Sequence, residues 1–143
     1  MKLQQLSIFL ENRTGRLAEV TRALGDSTIN IRALSLADTS DFGILRLLVD
    51  KPDEATEYLT KAGFTVRETE VIAVEIADRP GGLATVLSLL QGSGINVEYM
   101  YAFLERRKDA AILVFRFDDP ERAAKVLGDA NIHVFSAEEI TKL

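Results

Sequence analysis

The chain of 143 residues contains no cysteine and no tryptophan, and it has one histidine, His133. Without cysteine it can form neither a disulfide nor a thiol nucleophile, and zinc sites built from cysteine and histidine are excluded as well. Serine–histidine catalysis would have to use His133 alone. Sites for Mg²⁺ or Ca²⁺ built from carboxylates are the alternative left open, but the sequence has no acidic motif with the spacing of an EF-hand loop. We therefore expect a protein that is not an enzyme and has no catalytic residues, no metal and no cofactor.

Long apolar runs and an excess of positive charge are also missing. No apolar segment approaches the ~20 residues that span a bilayer, and residues 1–15 lack the apolar core of a signal peptide. The net charge of −5 argues against a nucleic-acid partner, because such binders normally carry a basic stripe. The sequence thus predicts a cytoplasmic protein that binds neither nucleic acid nor membrane.

The chain contains an internal repeat. When residues 13–30 are aligned with residues 79–96, half of the positions are identical, and a second match aligns residues 45–66 with residues 113–134. Identical pairs include Arg13/Arg79, Gly15/Gly81, Asn30/Asn96 and Asp50/Asp118. The repeat predicts two modules, residues 1–69 and 70–143. A unit of about 70 residues is only marginally stable alone, so we expect modules to pack tightly within one chain or between two.

Each repeat shows the periodicities of a mixed α and β module. Leu6, Ile8 and Leu10 recur at the period of a strand, and Val20 and Leu24 then recur at helical spacing. Two further strands, a second helix and a last strand follow, and the second repeat has the same order. Right-handed crossovers fold this βαββαβ order into an α+β, ferredoxin-like module, an antiparallel sheet with both helices on one face.

The second strand of the second repeat predicts sheet pairing. Val97, Tyr99 and Tyr101 alternate with a series that includes Met100, so apolar side chains occur on both faces. An edge strand of this kind invites pairing with another sheet, and we expect a homodimer joined through sheet edges. The alternative is an ordinary core with scattered surface aromatic residues.

Two equivalent turns, residues 12–15 and 78–81, connect the first strand of each repeat to its first helix. The unpaired N–H groups of a helix N-terminus lie at the positive end of its dipole and can hold a carboxylate or phosphate. Asn12 and Asp78 stand at the mouths of these turns, and Asn30 and Asn96 open the second strands at matching positions. The alternative is that the first pair only caps helices and the second pair only closes turns.

These residues carry a family resemblance over essentially the whole chain. The pattern [ND]-R-x-G-x-L, followed by a break and then I-N-[IV], resembles the ACT domain, the small-molecule-sensing module of amino-acid metabolism. Residues 35–45 also resemble the first repeat of stand-alone tandem ACT proteins that bind amino acids. The resemblance implies modules paired side by side through their second strands, with a free amino acid held at the joint.

The resemblance implies a set of ligand-binding residues in each repeat. They are Asn12, Arg13, Thr14, Gly15 and Asn30 in the first, and Asp78, Arg79, Pro80, Gly81, Gly82 and Asn96 in the second. Further lining candidates are Ser35, Asp38, Thr39, Asp41 and Phe42, for which a plain hairpin turn is the alternative. The repeats depart from the family pattern at Thr14, Thr28 and Asp78, where it favours Pro, Gly and Asn, so the two sites are expected to be unequal.

Three functions compete on this basis. The first is a non-catalytic sensor whose amino-acid-bound form is recognised by a partner enzyme or transport protein. The second is a regulatory subunit without its own ligand, as in the small subunits of acetolactate synthase, which acts through protein–protein contact. The third is an enzyme of acylphosphatase type, because Arg13 with Asn30 superficially fits that family; the short turns, with few amides free to surround a phosphate, argue against it.

Overall fold

The computed structural model describes residues 2–38, 41–105 and 107–143. The ligand-lining candidate Thr39 lies outside the described residues, as does the side chain of Asp38. The elements run β1 (Leu3–Glu11), α1 (Arg16–Asp26), β2 (Ile31–Asp38), β3 (Phe42–Val49), α2 (Pro52–Lys61), β4 (Thr65–Ala77), α3 (Gly82–Gly92), β5 (Val97–Ala102), β6 (Ala110–Phe117), α4 (Pro120–Asp129), β7 (Val134–Phe135) and α5 (Ala137–Thr141).

The chain forms two compact units. The first unit is Gln4–Thr69, and the second is Glu70–Leu143 together with Lys2 and Leu3. Strand order is β2-β3-β1-β4 in the first unit and β7-β4-β6-β5 in the second. Strand β3 pairs antiparallel with β1 and β2, β4 pairs antiparallel with β6 and β7, and β5 pairs antiparallel with β6. This is the ferredoxin-like order that the βαββαβ pattern predicts, and the predicted fold class is confirmed.

The core of the first unit lies between its sheet and its two helices. Leu6 and Ile8 of β1 are fully buried against Val20 and Leu24 of α1 and Leu59 of α2. Alternation in the strand and four-residue spacing in the helix place these side chains on facing surfaces. Complete burial of one such side chain contributes about 1.5–3 kcal/mol, so this layer accounts for both helices lying on one face of the sheet.

The second unit repeats the arrangement with larger side chains. Ile72 and Val74 of β4 pack with Val86 of α3, and Phe115 and Phe117 of β6 join the same core. The two phenylalanine rings are stacked with centroids 5.2 Å apart. None of the described helices combines the length and apolar composition needed to cross a membrane.

The structure differs from the predicted elements at the junction and at the C-terminus. The last strand of the first repeat and the first strand of the second form one strand, β4, of 13 residues. The last predicted strand of the second repeat shrinks to the two residues of β7. It is followed by α5, whose N-cap Ser136 and third helical residue Glu139 form a reciprocal capping box.

The predicted face assignment in β5 was wrong at its first residue. An irregularity interrupts the pairing with β6 between Val97 and Tyr99. As a result Val97 and Met100 both pack against the helix-side core. An extra residue in a bulge shifts the alternation by one position, which simple period-2 counting cannot anticipate.

Candidate functional site

The two turns that the sequence singled out have the same backbone design. Gly15 and Gly81 are the N-caps of α1 and α3, with φ of 91° and 83°, and neither helix has a side-chain cap. Glycine takes this left-handed conformation without the steric cost that a Cβ would add. The alternative interpretation, that Asn12 and Asp78 cap these helices, was therefore wrong.

Backbone hydrogen bonds hold each turn instead. The N–H of Asn12 donates to the carbonyl of Asp41 at 3.0 Å, and the N–H of Asp78 donates to the carbonyl of Asp109 at 3.1 Å. Each turn is thereby anchored to the neighbouring hairpin loop. The side chains of Asn12 and Asp78 are exposed and take no part in these bonds.

Both helix starts present free N–H donors. The first helical bonds run from Glu19 N–H to Gly15 and from Thr85 N–H to Gly81, each at 3.0 Å. The amides just before them, those of Leu17 and Leu83 among them, have no carbonyl one turn earlier in the helix. They lie at the positive end of the helix dipole, where an anionic group is stabilised.

The turn of the first unit carries an internal charge network. Arg13 contacts the carboxylate of Glu11 at 3.0 Å, and Arg16 lies 3.5 Å from Glu11 and 2.7 Å from Glu19. The guanidinium of Arg16 also stacks 4.5 Å above the ring of Phe64. The hydrogen bond from Arg13 lowers the pKa of Glu11, assisted by the charges of Arg13 and Arg16. The charges around this turn thus neutralise one another.

The turn of the second unit lacks that network. Ala77, Gly82 and Thr85 stand where the first unit has Glu11, Arg16 and Glu19. Asp78 and Arg79 are exposed, and neither has an ion-pair partner within the described ranges. Among the described residues, the second turn therefore presents charged side chains that are not engaged in ion pairs, whereas the charged side chains of the first are paired.

A small cavity adjoins each turn. In the first unit, Asn12, Arg13, Leu17 and Leu36 border a cavity of about 90 Å³. In the second unit, a cavity of about 190 Å³ is bordered by Asp78 and by residues that include Ala102. Strand register places Ala102 where the first unit has Leu36, because their partners Leu113 and Leu45 are equivalent in the repeat. The smaller side chain is consistent with the larger space in the second unit.

Asn30 and Asn96 do not meet the turn of their own unit. Because β1 and β2 both run antiparallel to β3, they are parallel to each other, and Asn30 lies at the end of the sheet opposite Asn12. The eight residues of β2 separate these ends by about 25 Å at ~3.3 Å per residue. The second unit has the same arrangement, and there Asn96 borders an open groove of about 410 Å³ with Leu87 and Gly94.

The other lining candidates are dispersed. Ser35 pairs in register with Arg46, whereas its neighbour Leu34 pairs with the core residue Leu47. Ser35 consequently lies on the sheet face opposite the helices, away from the turn. The backbone of Asp38 pairs with Gly43 at the end of β2. Thr14, Arg79 and Pro80 are exposed members of the turns, and Gly82 is buried at the start of α3.

Sequence reasoning missed two features of these surfaces. Leu17, which lies one helical turn before Val20 in the apolar series of α1, is 39% exposed, and Leu36 of β2 is 51% exposed. The side chains of Asp50 and Asp118 also accept hydrogen bonds from the backbone N–H groups of the two asparagines. Their identity in the two repeats was the available signal. Over the described residues, no cluster of His, Asp and Glu is arranged to hold a metal ion.

Comparison with known proteins places this geometry in context. The family model for the ACT domain pair matches residues 1–143. No curated protein matches the chain. Among solved structures, protein BT0572 from Bacteroides thetaiotaomicron is 39% identical, with a TM-score of 0.94 over 100% of this chain and 98% of that one.

Regulatory subunits of aspartate kinase share the fold at lower identity. The subunit from Thermus thermophilus is 17% identical, with a TM-score of 0.65 over 91% of this chain and 93% of its own. The subunit from Thermus flavus is also 17% identical, with a TM-score of 0.63 over 92% of this chain and 94% of its own. Likeness at this identity establishes a shared fold, which alone does not assign function.

Proposed function

The chain belongs to the ACT domain pair family, and on that premise we propose that it is a non-catalytic regulatory protein that senses a free amino acid. The ligand sits where a module of one chain meets a module of a second chain, so that binding favours the paired arrangement. A ligand shifts such an equilibrium only through its different affinity for the two states.

One observation carries the proposal, namely the placement of the turn and the asparagine at opposite ends of each sheet. β2 and β5 have a neighbour on one side only among the described strands. If two such edge strands pair antiparallel, the start of one lies beside the end of the other. The turn beside Asn12 or Asp78 then approaches Asn30 or Asn96 of the neighbouring module, which no single module achieves.

Apolar side chains near the free edge of β2 support pairing with a second chain. Leu34 and Leu36 are 37% and 51% exposed, and Leu17 of α1 is also exposed. Burying these side chains removes apolar surface from water, which favours association by about 25 cal/mol per Å². The protein is accordingly proposed to act as a homodimer, in the cytoplasm.

The polar groups match the head of an amino acid. The free N–H groups at the helix start donate to the carboxylate, and the side-chain oxygen of Asn30 or Asn96 accepts a hydrogen bond from the ammonium. In the second unit the carboxylate of Asp78 adds attraction for the ammonium. This unit is proposed to bind more tightly, because its turn is not neutralised by a network like that of Glu11 and Arg16.

Regulation requires a partner that distinguishes the two states. The likeness to regulatory subunits of aspartate kinase supports an enzyme of amino-acid biosynthesis in that position. The alternative is a regulatory subunit without its own ligand, which acts on an enzyme such as acetolactate synthase through protein–protein contact. The exposed apolar edge of β2 supports this alternative as well as it supports the sensor. Recovery of an enzyme from cell extract irrespective of added amino acids would favour the alternative.

Isothermal titration calorimetry against the twenty amino acids tests the sensor. At least one is expected to give saturable heat and to raise the melting temperature, since a ligand that binds the folded state stabilises it. The methyl ester of that amino acid is the matched control and is expected to bind more weakly, because it lacks the carboxylate. Absence of both heat and thermal shift for all twenty would reject amino-acid binding.

A further inference from the structure

A pair of hydrogen bonds fixes the start of the second strand identically in both units. The N–H of Asn96 donates to Oδ1 of Asp118 at 3.1 Å, and the N–H of Asp118 donates to the carbonyl of Asn96 at 3.2 Å. The equivalent bonds between Asn30 and Asp50 measure 2.9 and 3.1 Å. The two residues thus close a two-bond ring between the start of one strand and the end of its neighbour.

In this ring the aspartate is the residue whose side chain closes the turn. The turn is closed by the aspartate side chain and by the backbone of the asparagine. Within residues 2–38, 41–105 and 107–143, the side-chain amides of Asn30 and Asn96 have no hydrogen-bond partner. Both asparagines are exposed. Their side chains are therefore available to another molecule, and closing the turn does not explain why both repeats have asparagine there.

We propose that Asp118 and Asp50 are positioning residues, which hold the backbone of Asn96 and Asn30 so that each amide points to the ligand. The inference rests on the proposed function, because the asparagines are assigned there as ligand-binding residues. Asp118 and Asp50 do not contact the ligand themselves. They act by removing backbone freedom at a strand end, where chains otherwise fray.

The chemistry of the ring suits this role. A hydrogen bond to an ionised carboxylate is stronger than one to a neutral acceptor. Ordering the asparagine before the ligand arrives reduces the entropy lost on binding, which raises affinity without a new contact. Asp118 does not cap α4. The N-cap of that helix is Asp119, whose side chain accepts from the N–H of Arg122 at 3.2 Å.

A double-mutant cycle in the full chain tests the inference, with the amino acid that gives the largest heat as probe. Asp118→Ala is expected to weaken binding about tenfold, whereas in an Asn96→Ala background it adds less than about twofold, because the aspartate acts through the asparagine. The loss of stability from Asp118→Ala is expected to be the same in both backgrounds. A positioning role thus makes the effect of Asp118→Ala on binding depend on Asn96, while its effect on stability does not. A general structural effect would not show this contrast.

Two further variants complete the design. Asp118→Asn keeps an acceptor oxygen and is expected to retain affinity within about threefold, which also covers the case in which the alanine variant does not fold. Asp129→Ala, which removes an exposed aspartate paired with Lys125 on α4, is the control and should bind like the native chain. The Asp50 and Asn30 variants test the first unit in the same way.

The outcomes distinguish the two proposals. If the native chain binds an amino acid and Asp118→Ala and Asp50→Ala bind it equally well, the positioning role is wrong and the sensor remains. Full additivity between the aspartate and asparagine variants also overturns the positioning role. If the native chain binds none of the twenty amino acids, both proposals fall.

Discussion

The carbonyl oxygen of Ala77 occupies the space in which a side chain at position 82 would begin, so that a Cβ added to Gly82 overlaps it. The oxygen belongs to the backbone at the end of β4, where no flexible side chain can move aside. The Gly82→Ala variant is therefore expected to lose at least about 2 kcal/mol of unfolding free energy, as overpacked sites do.

Urea denaturation followed by circular dichroism measures this loss. Gly25→Ala is the matched control, because Gly25 also lies in the first helix of its unit and a Cβ there meets nothing within 4 Å. It is expected to be neutral or slightly stabilising, since alanine is the better helix former. Equal midpoints for the two variants would contradict the close approach of Gly82 to Ala77.

A residue with left-handed backbone conformation precedes the second strand of each unit, and the two units have different amino acids at this position. Gly94 has φ of 71° in the second unit, and Thr28 has φ of 57° in the first. Gly94→Ala is expected to cost about 1–2 kcal/mol, the penalty for a Cβ in this conformation. Gly92→Ala, in equally open space but without a positive φ, should cost far less.

The converse substitution, Thr28→Gly, relieves the same strain in the first unit. It is expected to gain up to about 1 kcal/mol, because the relief of ~1–2 kcal/mol exceeds the added backbone entropy of glycine. Thermal melts of the native chain and this variant provide the measurement. A lower melting temperature for Thr28→Gly would show that the threonine is not strained.

The C-terminal helix depends on pH through Glu139. Its carboxylate accepts from the N–H of Ser136 at 3.0 Å and lies 2.7 Å from Nε2 of His133. These bonds, the backbone one first, lower the pKa of Glu139 below its ordinary value of 4.5. Because the folded-state pKa is depressed, the stabilisation is present above that value and is lost as pH falls through the folded pKa.

Glu139→Gln is therefore expected to have a lower urea midpoint than the native chain at pH 7, and the difference should shrink as the pH approaches 3. Gln91→Ala, which changes an exposed side chain of α3 that does not ionise, serves as the control, and its difference from the native chain should be the same at both pH values. A constant difference for Glu139→Gln from pH 7 to pH 3 would refute the assignment.

Reciprocal exchange of Asn12 and Asp78 tests the inequality of the two ligand sites. Asp78→Asn is expected to weaken binding of an amino acid about fivefold, a loss of about 1 kcal/mol, because the attraction for the ammonium is removed. Asn12→Asp should strengthen binding at the first unit. Calorimetry with the amino acid and with its deaminated analogue measures both effects, and an unchanged preference would place the ligand away from these side chains.

Leu36→Lys tests association through the edge of β2. A lysine on an edge strand opposes sheet pairing because its charge must be desolvated. The native chain is expected to sediment at twice the mass of one chain and the variant at the mass of one. Tyr58→Lys, which alters another exposed side chain, on α2, should leave the native value unchanged, and a dimeric Leu36→Lys variant would locate the interface elsewhere.

Periodicity was sufficient to predict the order of elements but not their ends. The two-residue spacing of Leu6 and Ile8 predicts a strand, and the four-residue spacing of Val20 and Leu24 predicts a helix, because burial on one face requires those spacings. No glycine or proline lies near Thr69 and Glu70, which agrees with the one continuous strand there. The repeat instead predicted two separate strands, because each copy of the module has its own first and last strand. Helix α5 could have been predicted from the Ser136–Glu139 spacing of a capping box.

The candidate site was predictable in composition and not in arrangement. The repeat identified Asn30 and Asn96, and the structure retains both at exposed strand starts. Their separation from the turns follows from strand direction, which motif spacing does not contain. The role of Asp118 likewise depends on the register that joins β5 to β6, so residues far apart in the chain become partners only once the sheet forms.

Strand β4 limits how this duplicated chain can evolve. Within the second unit, Ile72, Val74 and Ile76 face the helix-side core from alternate positions of this strand. A single residue inserted among them would turn the side chains on one side of the insertion outward unless a bulge absorbed it, whereas two residues would preserve the alternation. Insertions and deletions in this stretch should therefore be tolerated only in even numbers, although the loops of the unit carry no such parity rule.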